Sequence, residues 1–360
     1  EGSWKMEIWT TGAASPRGIM KLAREVEDKG WDGLAVVDSQ NLSGDPYVSL
    51  AMAATVTDRI GLATAVTNSV TRQAAATATA IASVNRVAQG RVVLGIGRGD
   101  SALAHLGRAP GKVGHFETYL RHLQTYLKGE AVPFDEVDIP LDIAPPMSEL
   151  HLADAPTESR IAWMAGTQKV PVEVAATGTR VIGIGACLAE RVMFTLGVDL
   201  DRLAWGIETA RAARQTAGLD PDGVAFGAYI NLACNDDIAA ARNLVRGGLT
   251  TFARFNVMHG RTMGPWSEAA KDALHTLVAA YDMNKHTRGD SRQAGTLTDD
   301  FIDHFAIVGG PDAVIERLTA LADLGLDKVI IGGRLGTSGD ANAARSLTML
   351  EEEVMPAMRS

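Results

Sequence analysis

Eight short runs of β-branched and small apolar residues punctuate this chain, and helical segments separate them. The runs are residues 6–10, 33–37, 60–66, 92–95, 170–175, 191–196, 224–232 and 328–332. Between them, residues 16–29, 46–55, 73–87, 115–127, 179–188 and 200–217 carry apolar side chains at spacings of three and four, the period of a helix buried along one face. Near-continuous apolar strands alternating with helices specify a parallel sheet covered on both sides. Eight such units suit one closed (β/α)8 TIM barrel.

Helix punctuation agrees with that grammar. Pro16 and Pro311 stand where a first helical turn tolerates a missing N–H, and "EDKGWDGL" and "ADLGLDKV" each put glycine between a helix and the next strand. Two stretches exceed minimal units: the proline-rich residues 130–169 after the fourth strand and residues 236–298 after the seventh. The expectation is one domain over residues 1–360, with both insertions on the side where strands end in their C-termini, as lids or as decorated surface.

Composition narrows the function classes. With 46% hydrophobic and 21% charged residues, the chain can bury an extensive core. A formal net charge of −9 without a lysine- or arginine-rich block argues against nucleic acid as a partner. No stretch reaches the apolar length of a membrane span, so no membrane partner is expected. The opening "EGSWKMEIW" lacks the basic and apolar regions of a secretory leader, so the cytoplasm is the expected compartment. Cys187 and Cys234 lack metal-ligand or CxxC spacing, and no metal site is expected.

If the strands close a barrel, chemistry belongs at their C-terminal ends. There the sequence places Trp9 to Thr11, Asp38 to Gln40, Ala65 to Ser69, Gly97 to Ser101 and Ala176 to Thr179. No paired carboxylates, GxSxG, HExxH or P-loop lysine occurs, which disfavours hydrolase and metalloenzyme chemistry. A rim of small residues and backbone amides suits a cofactor that brings its own reactivity. "GIGRGDSA" reads either as cofactor contact or as a tight strand-to-helix turn with Asp100 or Ser101 as N-cap. "AATGTRV" opens another helix, whose free N–H groups suit a phosphate.

These residues carry a resemblance. "VTNSVTR" at 66–72, "GRVVLGIGRGDSALAHLG" at 90–107, "VPVEVAATGTRV" at 170–181 and "FAIVGGPDAVIERLTALADLGLDKVII" at 305–331 are similar, in order, to the bacterial luciferase-like superfamily of flavin and deazaflavin oxidoreductases. Within it the chain most resembles the methylenetetrahydromethanopterin reductases. The resemblance implies a non-proline cis peptide at Ala65–Val66 behind a tricyclic ring. It places Asp38, Thr67 and Asn68 near the ring's polar edge, Gly97, Arg98, Gly99, Asp100 and Ser101 along the ring and ribityl chain, and Ala176, Thr177, Gly178 and Thr179 around the phosphate. From the residues alone, Asp38 reads equally as a strand-end cap and Asn68 as a turn residue.

Several deazaflavin-using relatives have histidine after the second-strand aspartate, and here that residue is Ser39. A proton donor must then come from Ser39 itself, Asp100 or His259. Candidate residues for an apolar substrate pocket above the ring are Trp9, Phe194 and Phe255, together with Trp163, Met164, Met258 and Trp266, although such residues at helical spacing are more often core. The implied activity is hydride transfer between coenzyme F420, a deazaflavin, and a small organic substrate. The alternatives are an FMN-dependent monooxygenase, or an inactive barrel acting as a binding partner. A homodimer through residues 46–55 and 73–87 is implied as well.

Overall fold

The computed structural model describes residues 6–164, 166–333 and 339–359, with the side chain of His259 outside the described part. Eight parallel strands close on themselves: β1 (Glu7–Gly12), β2 (Gly33–Val36), β3 (Gly61–Thr64), β4 (Val92–Gly97), β5 (Val172–Ala176), β6 (Arg191–Phe194), β7 (Ala225–Ile230) and β8 (Lys328–Ile331). Each pairs with its successor, and β8 pairs with β1 in the register Trp9 to Ile330. The protein is therefore the (β/α)8 barrel that the alternation predicts.

Between the strands run α1 (Ile19–Asp28), α2 (Pro46–Ala54), α3 (Ala74–Val87), α4 (Ser101–Ala104), α5 (Val113–Leu127), α6 (Thr179–Leu188) and α7 (Leu200–Thr216). Local chemistry sets their ends. The Asp45 carboxylate accepts from the Tyr47 and Val48 amides at 2.8 and 3.1 Å, and Pro46 occupies the first turn of α2, where no N–H is required. Pro311 opens its helix as expected, whereas Pro16 lies in a turn one step before α1. Gly30 follows α1 with φ of +80°, a conformation that side chains resist.

The barrel interior is filled from below. Trp9, Ala35, Ala63, Met193, Tyr229 and Ile330 form its central layer. Trp9 fits because Gly33 and Gly61 face it: a Cβ on either would stand 2.2 or 2.4 Å from the indole. The fully buried Lys328 Nζ lies 3.5 Å from the Trp9 ring centroid and 3.0 and 3.1 Å from the Glu173 oxygens. Arg191 closes the set by bonding both Glu173 and Asp327. Buried charge is tolerated here because each ion has a partner.

The two long excursions behave differently. Residues 130–169 follow a helix rather than a strand, so they leave from the opposite end of the unit and run along the outside of the barrel. Gln73 donates to the Asp138 carbonyl, and His122 meets Glu136. None of their described residues lines the mouth, so of the two roles expected for this insertion, lid or decorated surface, the lining fits the surface. Residues 236–298 follow a strand and do lie over the mouth. They contain α8 (Ile238–Phe255) and α9 (Glu268–Ala279), packed in a second apolar cluster around Val245, Leu249 and Leu274. A short parallel pair, Leu232–Cys234 with Ile307–Gly309, is an addition the periodicity does not announce. Among the described residues no helix is long and apolar enough to cross a membrane.

Candidate active site

Strand ends, strand-to-helix loops and α8 enclose a cavity of about 1450 Å³. Its inner end is made of Ala65, Val66, Gly97, Ala175 and Tyr229. The Ala65–Val66 peptide is cis, as the resemblance implies, and the two-residue strand Thr67–Asn68 pairs with β4 beyond it. Small side chains there leave a shelf, since a Cβ on Gly97 would meet Val66 Cγ2 at 3.2 Å.

Parity and depth decide which predicted residues reach the cavity. Alternate strand residues face opposite sides. Thus Ala175 and Thr195 line it, while the Ala176 and Phe194 side chains point into the helical layer, Phe194 stacking on Phe226 at 5.8 Å. Phe194 is therefore core, correcting its assignment to substrate. Trp9 has the right parity but lies too deep, beneath the mouth, and Thr11 lines the cavity instead. Phe255 and Met258 do line it, whereas Trp163, Met164 and Trp266 do not.

Asp38, Ser39, Ala65, Val66, Gly97, Arg98, Gly99, Asp100, Ser101, Thr177, Gly178 and Thr179 are all brought together around this one space. Thr67 and Asn68 stand behind it. Thr67 Oγ1 donates to Asp38 Oδ2 at 2.8 Å, and Asn68 Oδ1 accepts from the Val70 and Thr71 amides, the work of a turn residue. Burial pushes the Asp38 carboxyl above the usual carboxylate range, while the Thr67 hydroxyl and Arg72 pull it back. The Ser39 and Ser101 hydroxyls are 3.3 Å apart.

Asp100 occupies the N-cap position of α4 but makes no capping bond. Its carboxylate instead pairs with Arg254 of α8. The plain capping reading of Asp100 is thus replaced by a bridge across the mouth. His259 belongs to the turn Met258–Gly260, and its side chain is outside the described part.

At the other end, α6 begins after Gly178, which carries no side-chain cap, and a Cβ added there would meet nothing within 4 Å. Arg98 and Arg180 converge on the same space. Burial lowers the Arg98 pKa and the neighbouring Arg180 charge lowers it further. Two cations beside uncapped helical amides are surroundings that suit an anion.

Several residues that reach the cavity were not singled out in the sequence. The Tyr229 hydroxyl, the Thr251 hydroxyl and His105 Nε2 are buried, belong to residues lining the cavity and have no hydrogen-bond partner. All three atoms are closed off from solvent, and the Tyr229 hydroxyl lies 3.2 Å from where a Cβ on Gly95 would stand, in the wall of the barrel. Burial holds the Tyr229 phenol well above its ordinary pKa, so it remains a donor. Of these, His105 lies inside "GDSALAHLG", one helical turn after Ser101. Tyr229 has inward parity in its strand.

Strand ends that present a flat shelf, with two cations and an uncapped helix start at one end, give the cavity a shape and charge suited to a planar anion. The chain belongs to the luciferase-like monooxygenase family, which residues 4–328 match, and it is an oxidoreductase of that luciferase-like class. It is similar to 5,10-methylenetetrahydromethanopterin reductase from Methanolobus tindarius, 25% identical over 342 residues that cover 94% of this chain and 95% of the relative. The reductase from Archaeoglobus fulgidus is 26% identical over 336 residues, covering 92% and 93%. Among solved structures, the coenzyme F420-dependent tetrahydromethanopterin reductase from Methanopyrus kandleri superposes with a TM-score of 0.72 at 18% identity, over 98% of this chain and 99% of that one. An F420-dependent secondary alcohol dehydrogenase superposes with a TM-score of 0.70 at 15% identity, over 99% and 100%.

Proposed function

We propose that the protein is a deazaflavin-dependent oxidoreductase that moves a hydride between coenzyme F420 and a small organic substrate. The observation that carries this reading is end-to-end similarity to 5,10-methylenetetrahydromethanopterin reductases, one of whose solved structures is named as coenzyme F420-dependent, joined to a cavity whose shelf and cationic end suit a flat ring with a phosphate tail. A bound deazaflavin supplies a ring carbon that accepts or gives hydride. The protein's part is placement and exclusion of water. Ala65, Val66, Gly97 and Ala175 leave the ring a flat seat. Thr177 to Thr179, with Arg98 and Arg180, would hold the phosphate. Asp38, fixed by Thr67, orients the ring's polar edge.

FMN is the second reading, supported by a type II Baeyer–Villiger monooxygenase in complex with FMN that superposes with a TM-score of 0.64 at 20% identity. Fluorescence titration of the purified protein with F420 and with FMN separates the readings. Submicromolar to low-micromolar binding of F420 and much weaker binding of FMN are expected. The reverse order makes the protein a flavin monooxygenase, and binding of neither makes it a partner subunit.

A further inference from the structure

We propose that His286, held by Tyr281, is the acid–base group that exchanges the substrate's oxygen-bound proton, an inference that rests on the oxidoreductase reading above. His286 lines the cavity. Its Nδ1 is engaged by the Tyr281 hydroxyl at 2.8 Å. With one ring nitrogen committed, Nε2 is the atom left to meet a ligand. Tyr281 is itself held, because the Arg254 guanidinium lies 4.8 Å from its ring centroid while pairing with Asp100. Four side chains from three separate segments are thereby linked along one edge of the cavity.

The backbone makes room for this arrangement. A Cβ on Gly247 of α8 would stand 2.4 Å from the Thr287 carbonyl and 2.7 Å from the Gly289 amide, so glycine there lets the segment carrying His286 lie against the helix. The charged and titratable groups facing His286 are Asp100 from the loop after β4, His105 at the end of α4, Arg254 of α8 and Tyr281 after α9. Burial lowers its pKa below the usual value, Asp100 opposes this, and Arg254 and His105 reinforce it. The ring is therefore neutral at neutral pH, the state of a base.

Phe252, Phe255, Met258 and Met283 line the same space, so the substrate that fits is an apolar skeleton bearing one hydroxyl or carbonyl oxygen. In the oxidising direction the carbinol C–H bond breaks, and its electron pair leaves with the hydrogen to the oxidised deazaflavin. The O–H proton passes to His286 Nε2, and the C–O bond becomes C=O. The imidazolium then returns its proton to water.

The test uses protein loaded with oxidised F420 and assayed with cyclohexanol and 1-phenylethanol from about pH 5 to about pH 9. Wild type is expected to gain rate as pH rises through the His286 titration and then to level. His286→Gln should lose about 100-fold or more near pH ~7, together with the acid limb, while its F420 titration is unchanged. Tyr281→Phe keeps the imidazole and should retain the limb at roughly tenfold lower rate. In cofactor-free protein, diethyl pyrocarbonate, which modifies neutral imidazole, should label His286 at about neutral pH by peptide mapping. The inference is overturned by a His286→Gln profile like wild type, by an unreactive His286, or by F420-loaded wild type that oxidises neither alcohol. Failure to bind F420 at all instead overturns the functional reading beneath it.

Discussion

Asp100 and Arg254, separated by 154 positions in the chain, form an ion pair that ties the loop after β4 to helix α8. Their side chains are only 16% and 14% exposed, so each ion depends on the other rather than on water. Arg254→Met strands the carboxylate and should destabilise the protein by about 3 kcal/mol. Asp100→Asn combined with Arg254→Met should recover much of that loss. Urea unfolding of the four proteins in the double-mutant cycle measures the coupling. Additive single effects would mean that the pair is not an energetic bridge.

Gly178 offers a separation of folding from binding. Its φ of −96° and ψ of 152° are open to any residue, and a side chain there would project into open space. Gly178→Leu is expected to melt within about 0.5 kcal/mol of wild type yet lose ligand affinity by roughly 100-fold or more. A variant that still binds F420 normally would remove the anion subsite from this position.

Glu27 gives the fold a dependence on acid. Burial alone would push its carboxyl up, but backbone N–H groups of Asp58, Arg59 and Ile60, at 3.0, 2.7 and 3.1 Å, hold it below the ordinary value. A carboxyl lowered in the folded state contributes stability that is fully present above its unfolded pKa. That contribution is lost as pH falls through the folded pKa. Glu27→Gln should thus cost about 1–3 kcal/mol near pH ~7 and much less at about pH 3. Denaturant unfolding at the two pH values reads the difference, and an equal cost at both would contradict the assignment.

We propose that two copies of the chain pair through α2 and α3. Val48, in the first turn of α2, and Val87, the last residue of α3, are exposed at 51% and 48%. Light scattering should give about twice the chain mass for wild type, and a Val48→Arg, Val87→Arg variant should give about one chain mass. A monomeric wild type rules the pairing out.

The barrel was legible because its signal is repeated: eight apolar strands and their intervening helices each carry their own period. The site was legible where small residues end a strand, as at Gly97 to Ser101 and Thr177 to Thr179. It was obscured where a position hinges on one residue of parity, which separates Phe194 from Thr195, or on depth, which separates Trp9 from Thr11. The wall from Thr251 to Thr287 was legible only as an insertion placed over the strand ends, with Phe255 and Met258 named from it. Helix and turn residues far apart in sequence meet only through α8, and nothing in "NKHTRGD" marks His286 as facing the same space as Asp100.

The packed layer of Trp9, Met193 and Ile330, underlain by Lys328 and Glu173, turns the barrel into a blind-ended vessel. Whatever occupies the cavity can therefore come and go only on the side where the strands end, and the floor beneath stays sealed.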